Sequence, residues 1–425
     1  MRDITLSILE VYKSEFKLKT SIQEMKFRSA LAIALTICLF SFVNCKEDDD
    51  PTIDDPDGEE PRDLTGFYFG ADLSYVNQVL DHNGVYKDGG VVKNPYQIFK
   101  DHGTNLVRLR LWHNPLWTKE VYGAQGTQLY NDLFDVAKSM RLAKEQGLPV
   151  LLDFHYSDTW ADPENQKIPV AWKEIRDITV LRDSVYNYTY KTLQYLNAQG
   201  IMPELVQVGN ETNCGMLYTD APEGFPACNV CNGAWQQFGT VVKAAIDAVK
   251  AVSAVSSVKT KIILHVADPK NVEWWFDNIM AKGSVTNFDM VGFSYYPLWH
   301  PTVTLDQLSD RVAAFKNKYS RPVIMLETAY PWTTGSDDAY NNNFGNESAI
   351  AGFPFSKKGQ SDLLIKLTQE MLDGGGQGVV YWEPAWISSG MKDLWGTGSS
   401  WENCAFFDFE GNATESIDFT KYSYK

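Results

Sequence analysis

From residue 64 onward the chain alternates between two patterns. Short apolar runs rich in β-branched and aromatic residues occur at 67–70, 106–111, 149–154, 205–208, 261–266, 290–294, 323–327 and 378–382. Between them lie longer stretches, such as 133–146, 185–198, 235–252, 305–318 and 361–372, whose apolar positions return every three or four residues. The runs read as buried strands and the stretches as amphipathic helices. Eight such strands separated by helices in one α/β chain predict a single (β/α)8 barrel. A doubly wound open sheet is the competing arrangement, but no glycine-rich phosphate loop follows the first strand, where a dinucleotide fold would carry one.

Upstream the pattern changes. An apolar run over 29–43, preceded by Lys26 and Arg28, is too short to span a bilayer stably and reads as a secretory signal. Met25 opens this segment, so translation is expected to start there, with residues 1–24 an upstream extension. Phe42-Val43-Asn44-Cys45 resembles a bacterial lipobox, with Cys45 as the lipidated residue, although Asn44 stands where Gly, Ala or Ser is usual. Lys46-Glu47-Asp48-Asp49-Asp50 resembles the acidic export signal of some surface lipoproteins of Gram-negative bacteria. An ordinary signal peptide with an incidental cysteine is the alternative. Residues 46–63 hold two basic and ten acidic residues and three prolines, a composition that favours a solvated tether over a core. The expected organisation is a signal peptide over 1–45, a tether over 46–63 and one catalytic domain over 64–425. The mature protein is then a monomeric lipoprotein of the outer membrane, exposed at the cell surface.

The formal net charge of −16 argues against nucleic acid as a partner, since phosphate contacts need clustered Lys and Arg. The 13 Trp and 21 Tyr matter more. Rings of this kind, exposed in a cleft, suit flat amphipathic ligands such as sugars or bases.

Seven of the eight strands run into polar or aromatic residues that a plain core would not use. These ends include Asp72, Arg108 and Arg110, Asp153 and His155, Asn210 and Glu211, Tyr295 and Tyr296, Glu327, and Trp382 with Trp386. In a barrel the carboxyl ends of the strands converge on one face, where the chemistry is done. Glu211 and Glu327, after the fourth and seventh strands, would face each other across that mouth. Two carboxyl groups flanking a glycosidic bond suffice for hydrolysis through an oxocarbenium-like transition state: one donates a proton, the other attacks the anomeric carbon. Asn210 is placed to reach the sugar 2-hydroxyl, and Arg110 is expected to hold Glu327 ionised through a charge-assisted hydrogen bond.

These residues carry a family resemblance. Gly209-Asn210-Glu211 with Glu327-Thr328 is similar to the clan of retaining barrel glycosidases. More narrowly, six stretches resemble glycoside hydrolase family 53, the (arabino)galactan endo-β-1,4-galactanases. They are Gly70-Ala71-Asp72-Leu73-Ser74, the run 107–112, the run 153–163, Gln207-Val208-Gly209-Asn210-Glu211, the run 292–297, and Tyr381-Trp382-Glu383-Pro384-Ala385-Trp386. The resemblance implies Glu211 as acid/base and Glu327 as nucleophile, with retention and carboxyl oxygens about 5 Å apart. It also implies a sugar subsite lined by Arg110, His155, Asn210, Tyr295 and Trp382, and β-1,4-galactan of pectin as substrate; Trp386 is expected to stack on the sugar with Trp382, and Asp72 is a further candidate for substrate binding. No cofactor is required for such chemistry. Bacterial members often hold a structural calcium in the loop after the seventh strand, which here points to Asp337, Asp338 and Asn342 as ligands.

Cys214, Cys228 and Cys231 cluster after Glu211, and Cys404 lies near the end. Export favours disulfides over a zinc site, but four cysteines allow three pairings. The rival functions are another barrel glycanase acting on mannan, xylan or β-glucan, and a non-catalytic surface glycan-binding lipoprotein.

Overall fold

The computed structural model describes residues 61–344 and 347–425. The expected signal peptide, Cys45 and the tether up to residue 60 lie outside the described residues. Eight parallel strands close into a barrel: β1 Tyr68–Asp72, β2 Leu106–Leu111, β3 Val150–Phe154, β4 Leu205–Val208, β5 Lys261–Ala267, β6 Met290–Ser294, β7 Val323–Glu327 and β8 Gly378–Tyr381. Each pairs with its sequence neighbours, and β1 closes the ring by pairing with both β2 and β8. The predicted (β/α)8 barrel is therefore the observed one, with strand limits within about two residues of the apolar runs.

Helices pack outside: α1 Pro95–Asp101, α2 Leu133–Glu145, α3 Ile178–Ala198, α4 Trp235–Val255, α5 Pro269–Ala281, α6 Leu308–Tyr319 and α7 Lys357–Asp373. Their starts are set by local chemistry, with Asp132, Asp177, Asp268 and Ser356 accepting from the first-turn backbone N–H groups of α2, α3, α5 and α7. The Asp177 cap explains why α3 begins seven residues before the stretch 185–198. The stretch 305–318 divides into a 3-10 turn, Leu305–Gln307, and α6. After β8 a 3-10 segment, Glu415–Lys421, takes the place of an eighth helix.

Strand pleating sorts the barrel interior into layers. Leu106, Leu151, Leu205, Ile263, Met290, Ile324, Leu326 and Val380 form one buried apolar cluster inside the barrel. Two residues further along four strands, the inward positions turn polar: Arg108, Asp153, Gln207 and His265, all buried. The fold thus carries an apolar plug below and a charged layer above it.

On β7 the alternation breaks. Phe293 of β6 pairs with Met325, but Ser294 pairs with Glu327, so Leu326 is an extra residue and Glu327 is re-aimed into the barrel. Gly292 makes room for it, because a Cβ there would lie 2.4 Å from a Leu326 methyl.

Candidate active site

Arg108 organises the polar layer. Its guanidinium reaches Asp72 Oδ2 at 2.8 Å, Asp153 Oδ2 at 2.8 Å and Glu327 Oε1 at 2.9 Å. It also donates to Asn210 Oδ1 at 2.8 Å. With five N–H donors in a rigid fork, arginine can serve several acceptors at once, which a lysine could not do from one point. The second oxygen of Glu327 accepts the Tyr296 hydroxyl at 2.9 Å. Burial lifts the Glu327 carboxyl to about 7, against the pull of Arg108 and the Tyr296 hydrogen bond.

Glu211 faces it from the end of β4, in the left-handed region at φ +44°. A non-glycine residue holds that conformation only when its surroundings impose it. Here they do: Thr212 N–H donates to His265 O at 3.0 Å, Asn213 exchanges two hydrogen bonds with the Ala267 backbone, and Trp275 Nε1 of α5 donates to Thr212 O at 2.6 Å. Burial, and next the negative charge of Glu327, push the Glu211 carboxyl well above the usual carboxylate range. The Ser294 hydroxyl donates to its Oε1 at 2.5 Å. One carboxylate oxygen of Glu211, one of Glu327 and one ring nitrogen of His265 all lie within 4.8 Å of one another.

The pair lies in a groove of about 770 Å³, also lined by His155, Trp160, Asn210, Tyr296, Trp382 and Trp401. Asn210 is locked in one amide orientation, its carbonyl accepting from Arg108 and Gln207 and one N–H given to Ala161 O. Its second N–H has no acceptor among the described residues. His155 accepts the Ala161 N–H at Nδ1 and reaches Asp153 through Nε2, which fixes its tautomer. Trp382 packs edge-on against Trp401, with ring centroids 4.7 Å apart, and Trp386 also lines the groove. A buried carboxyl pair, a donor amide and indole walls form the inventory for acid/base and nucleophilic work on a sugar.

The sequence matches glycosyl hydrolase family 53 over residues 68–420. The chain belongs to this family. It is 43% identical over 367 residues to an arabinogalactan endo-β-1,4-galactanase of Cellvibrio japonicus, covering 85% of this chain and 93% of that one. Among solved structures it is similar to the family 53 catalytic domain of Ignisphaera aggregans, with TM-score 0.74, 33% identity and coverage of 86% and 98%. It is also similar to a structure reported for two fungal β-1,4-galactanases, with TM-score 0.68, 28% identity and coverage of 83% and 98%. This family 53 chain is a glycoside hydrolase.

Of the expected site residues, Glu211, Glu327, His155, Asn210, Trp382 and Trp386 come together in the groove of the family 53 barrel. Three do not line it. Asp72 is fully buried behind Arg108, its other oxygen accepting from Ser74. Tyr295 turns away and donates to Val303 O at 2.6 Å, and its neighbour Tyr296 supplies the hydroxyl at the site. Arg110 does not reach Glu327. It pairs with Glu383 at 2.9 Å and is sandwiched by the rings of Trp160, Tyr75 and Trp112 at 4.0, 4.6 and 4.8 Å. The contact with Glu327 expected of Arg110 is made by Arg108, two residues earlier on the same strand.

His265 and Gln207 join the site without belonging to a polar strand end. Their signal was available, since each is a polar residue at an inward position two along from a plug residue.

Among the described residues the cysteines give one bridge, Cys214–Cys231, with Cys228 and Cys404 buried as free thiols. The loop after β7 does not gather Asp337, Asp338 and Asn342 into a cation cage. Asp338 accepts from the backbone N–H groups of Tyr340 at 2.7 Å and Ser399 at 2.8 Å, Asp337 is exposed, and Asn342 donates to Gly335 O at 3.2 Å. Asn342 Oδ1 is buried without a partner, but a single such oxygen does not make a calcium site. What ties this loop to the one after β8 is hydrogen bonding, reinforced by Tyr340 on Asp393 and Ser336 on Glu402.

Proposed function

We propose that this family 53 hydrolase is a retaining endo-β-1,4-galactanase, with Glu211 as acid/base and Glu327 as nucleophile, acting on β-1,4-galactan and type I arabinogalactan side chains of pectin. One observation carries the reading: two buried carboxyl groups approach within 4.8 Å, and only Glu327 has a cation and a phenol on its oxygens. Inversion needs a gap of about 6.5–9.5 Å to hold a water between the carboxyls, whereas retention works at about 5–5.5 Å. Arg108 and Tyr296 favour the anion on Glu327, while burial and the neighbouring charge favour a proton on Glu211.

In the first step Glu327 bonds to the anomeric carbon as the glycosidic C–O bond breaks and its oxygen takes the Glu211 proton. In the second, Glu211 removes a proton from water as the water oxygen bonds to that carbon and Glu327 departs. Neither step calls for a cofactor. The galactan substrate is supported by the Cellvibrio japonicus relative, and internal cleavage by a groove walled by the loops after β3, β6, β7 and β8.

Time-resolved product analysis on linear β-1,4-galactan tests these points together. Mixed oligosaccharides should appear first, with β configuration at the new reducing ends, and Glu327→Gln should abolish them. Release of α anomers, full activity in Glu327→Gln, or faster hydrolysis of mannan, xylan or β-glucan would overturn the reading. We also propose that Cys45 carries a lipid and that 46–63 tethers the barrel to the outer membrane. Palmitate labelling that persists in Cys45→Ser would refute this.

A further inference from the structure

Glu211 is gripped on one oxygen only. Oε1 accepts the Ser294 hydroxyl at 2.5 Å, whereas Oε2 makes no hydrogen bond among the described residues, in a side chain that lines the groove. Ser294 Oγ lies 2.8 Å from Nε2 of His265. The other ring nitrogen, Nδ1, is approached by the backbone N–H of Glu211 at 3.3 Å and by Nε2 of Gln207 at 3.0 Å. A backbone N–H can only donate, so Nδ1 is the acceptor and the imidazole proton sits on Nε2. Asn210 Oδ1, also 3.0 Å from Nδ1, already accepts from Arg108 at 2.8 Å. His265 Nε2–H therefore donates to Ser294, and the serine hydrogen is directed at Glu211 Oε1.

We infer that His265 and Ser294 form a positioning relay that decides which oxygen of the acid/base carries the proton. Ser294 keeps Oε1 in the acceptor role, so the transferable proton resides on Oε2, toward the groove. This rests on the reading of Glu211 as acid/base. During glycosylation the Oε2–H bond breaks and its proton goes to the leaving glycosidic oxygen, which keeps the electrons of its bond to the anomeric carbon. During hydrolysis Oε2 takes the proton of the attacking water. Oε1 keeps its serine partner through both steps, so the hydroxyl supports the anion in the second step without competing for the proton in the first.

The relay is charge-neutral, because burial and then the Arg108 charge hold the His265 ring well below its ordinary range. The charged and titratable groups facing Glu211 are Glu327 on β7, Arg108 on β2, Asp162 in the loop after β3 and Tyr296 after β6. Those facing His265 are Glu211, Glu327, Arg108, Asp153 and His155.

The test is the pH profile of kcat/KM on galactan for Ser294→Ala. Loss of a donor to the anion raises the Glu211 pKa, so the basic limb should move up by about one pH unit while the acid limb stays in place. His265→Leu should move it in the same direction, and His265→Gln, which keeps an N–H donor, should move it less. A limb position does not depend on the fraction of folded enzyme. If Ser294→Ala is too slow to titrate, the 13C carboxyl shift of Glu211 read against pH gives the same comparison. An unmoved Glu211 titration in Ser294→Ala overturns the relay. Glu211→Ala with a dinitrophenyl β-galactobioside and azide separates the two levels: a β-galactobiosyl azide product upholds the acid/base reading whatever the relay does, and its absence sinks both.

Discussion

Arg108 and Arg110 stand two residues apart on the same strand, point to the same side and do different work. Arg108 is at the level where Asp72, Asp153 and Glu327 converge, and it touches all three. Arg110 is one layer higher and bends to the wall, where it neutralises Glu383 beneath Trp160. Glu383, like Glu211, sits at positive φ, +49°. Removing Arg108 takes away the charge that favours the Glu327 anion. Arg108→Met should therefore raise the Glu327 pKa and move the acid limb of the kcat/KM profile to higher pH. The maximum should fall on the order of 10²–10³-fold, as for loss of other charge-stabilising donors in active sites. Arg108→Lys should fall between, since a single ammonium cannot bridge three carboxylates. An acid limb that stays in place in Arg108→Met would contradict this assignment. Sequence could not tell the two arginines apart, because the alternation of a strand gives the face but not the depth. The same limit applies to Tyr295 and Tyr296, where one residue of chain direction past the end of β6 exchanges the wall for the site.

At the scale of elements the strands were legible and the junctions were not. Eight runs of buried residues have a pattern with one physical meaning, and all eight appear as barrel strands. The bulge at Leu326 has no such signature, since it follows from the fit of Leu326 against Gly292 across the sheet. The bridge between Cys214 and Cys231, 17 residues apart, likewise depends on a short hairpin that pairs Gly215–Met216 with Cys228–Asn229. Replacing both cysteines by serine should cost about 3 kcal/mol of stability, the chain-entropy value for a loop of this length. Thermal unfolding with and without reductant measures it. At 25 °C kcat should change little, because Thr212 and Asn213 are fastened to β5 on the Glu211 side of the bridge. A large loss of kcat with unchanged Tm would show that the hairpin, not β5, holds Glu211.

At the scale of the molecule, the acidity that excludes nucleic acid belongs in good part to the segment before the barrel, and the described residues from 61 onward form one compact unit. Composition could therefore suggest a sugar-binding enzyme, but the depth of the site below its rim emerged only from the closed ring of strands. That ring is stoppered underneath by Leu106, Leu151, Leu205, Ile263, Met290, Ile324, Leu326 and Val380. With one end plugged, the departing sugar and the next acceptor share the groove at the other end. On the proposed retaining mechanism, water would reach the glycosyl-enzyme through the same groove and compete there with any hydroxyl that the groove can seat. At high concentrations of galacto-oligosaccharide the enzyme should lengthen chains as well as cut them, and mass spectrometry should find products longer than the starting material. If none form at any concentration, water reaches the intermediate by another path. The apolar floor, made of residues that never touch a sugar, then sets the balance between breaking galactan and building it.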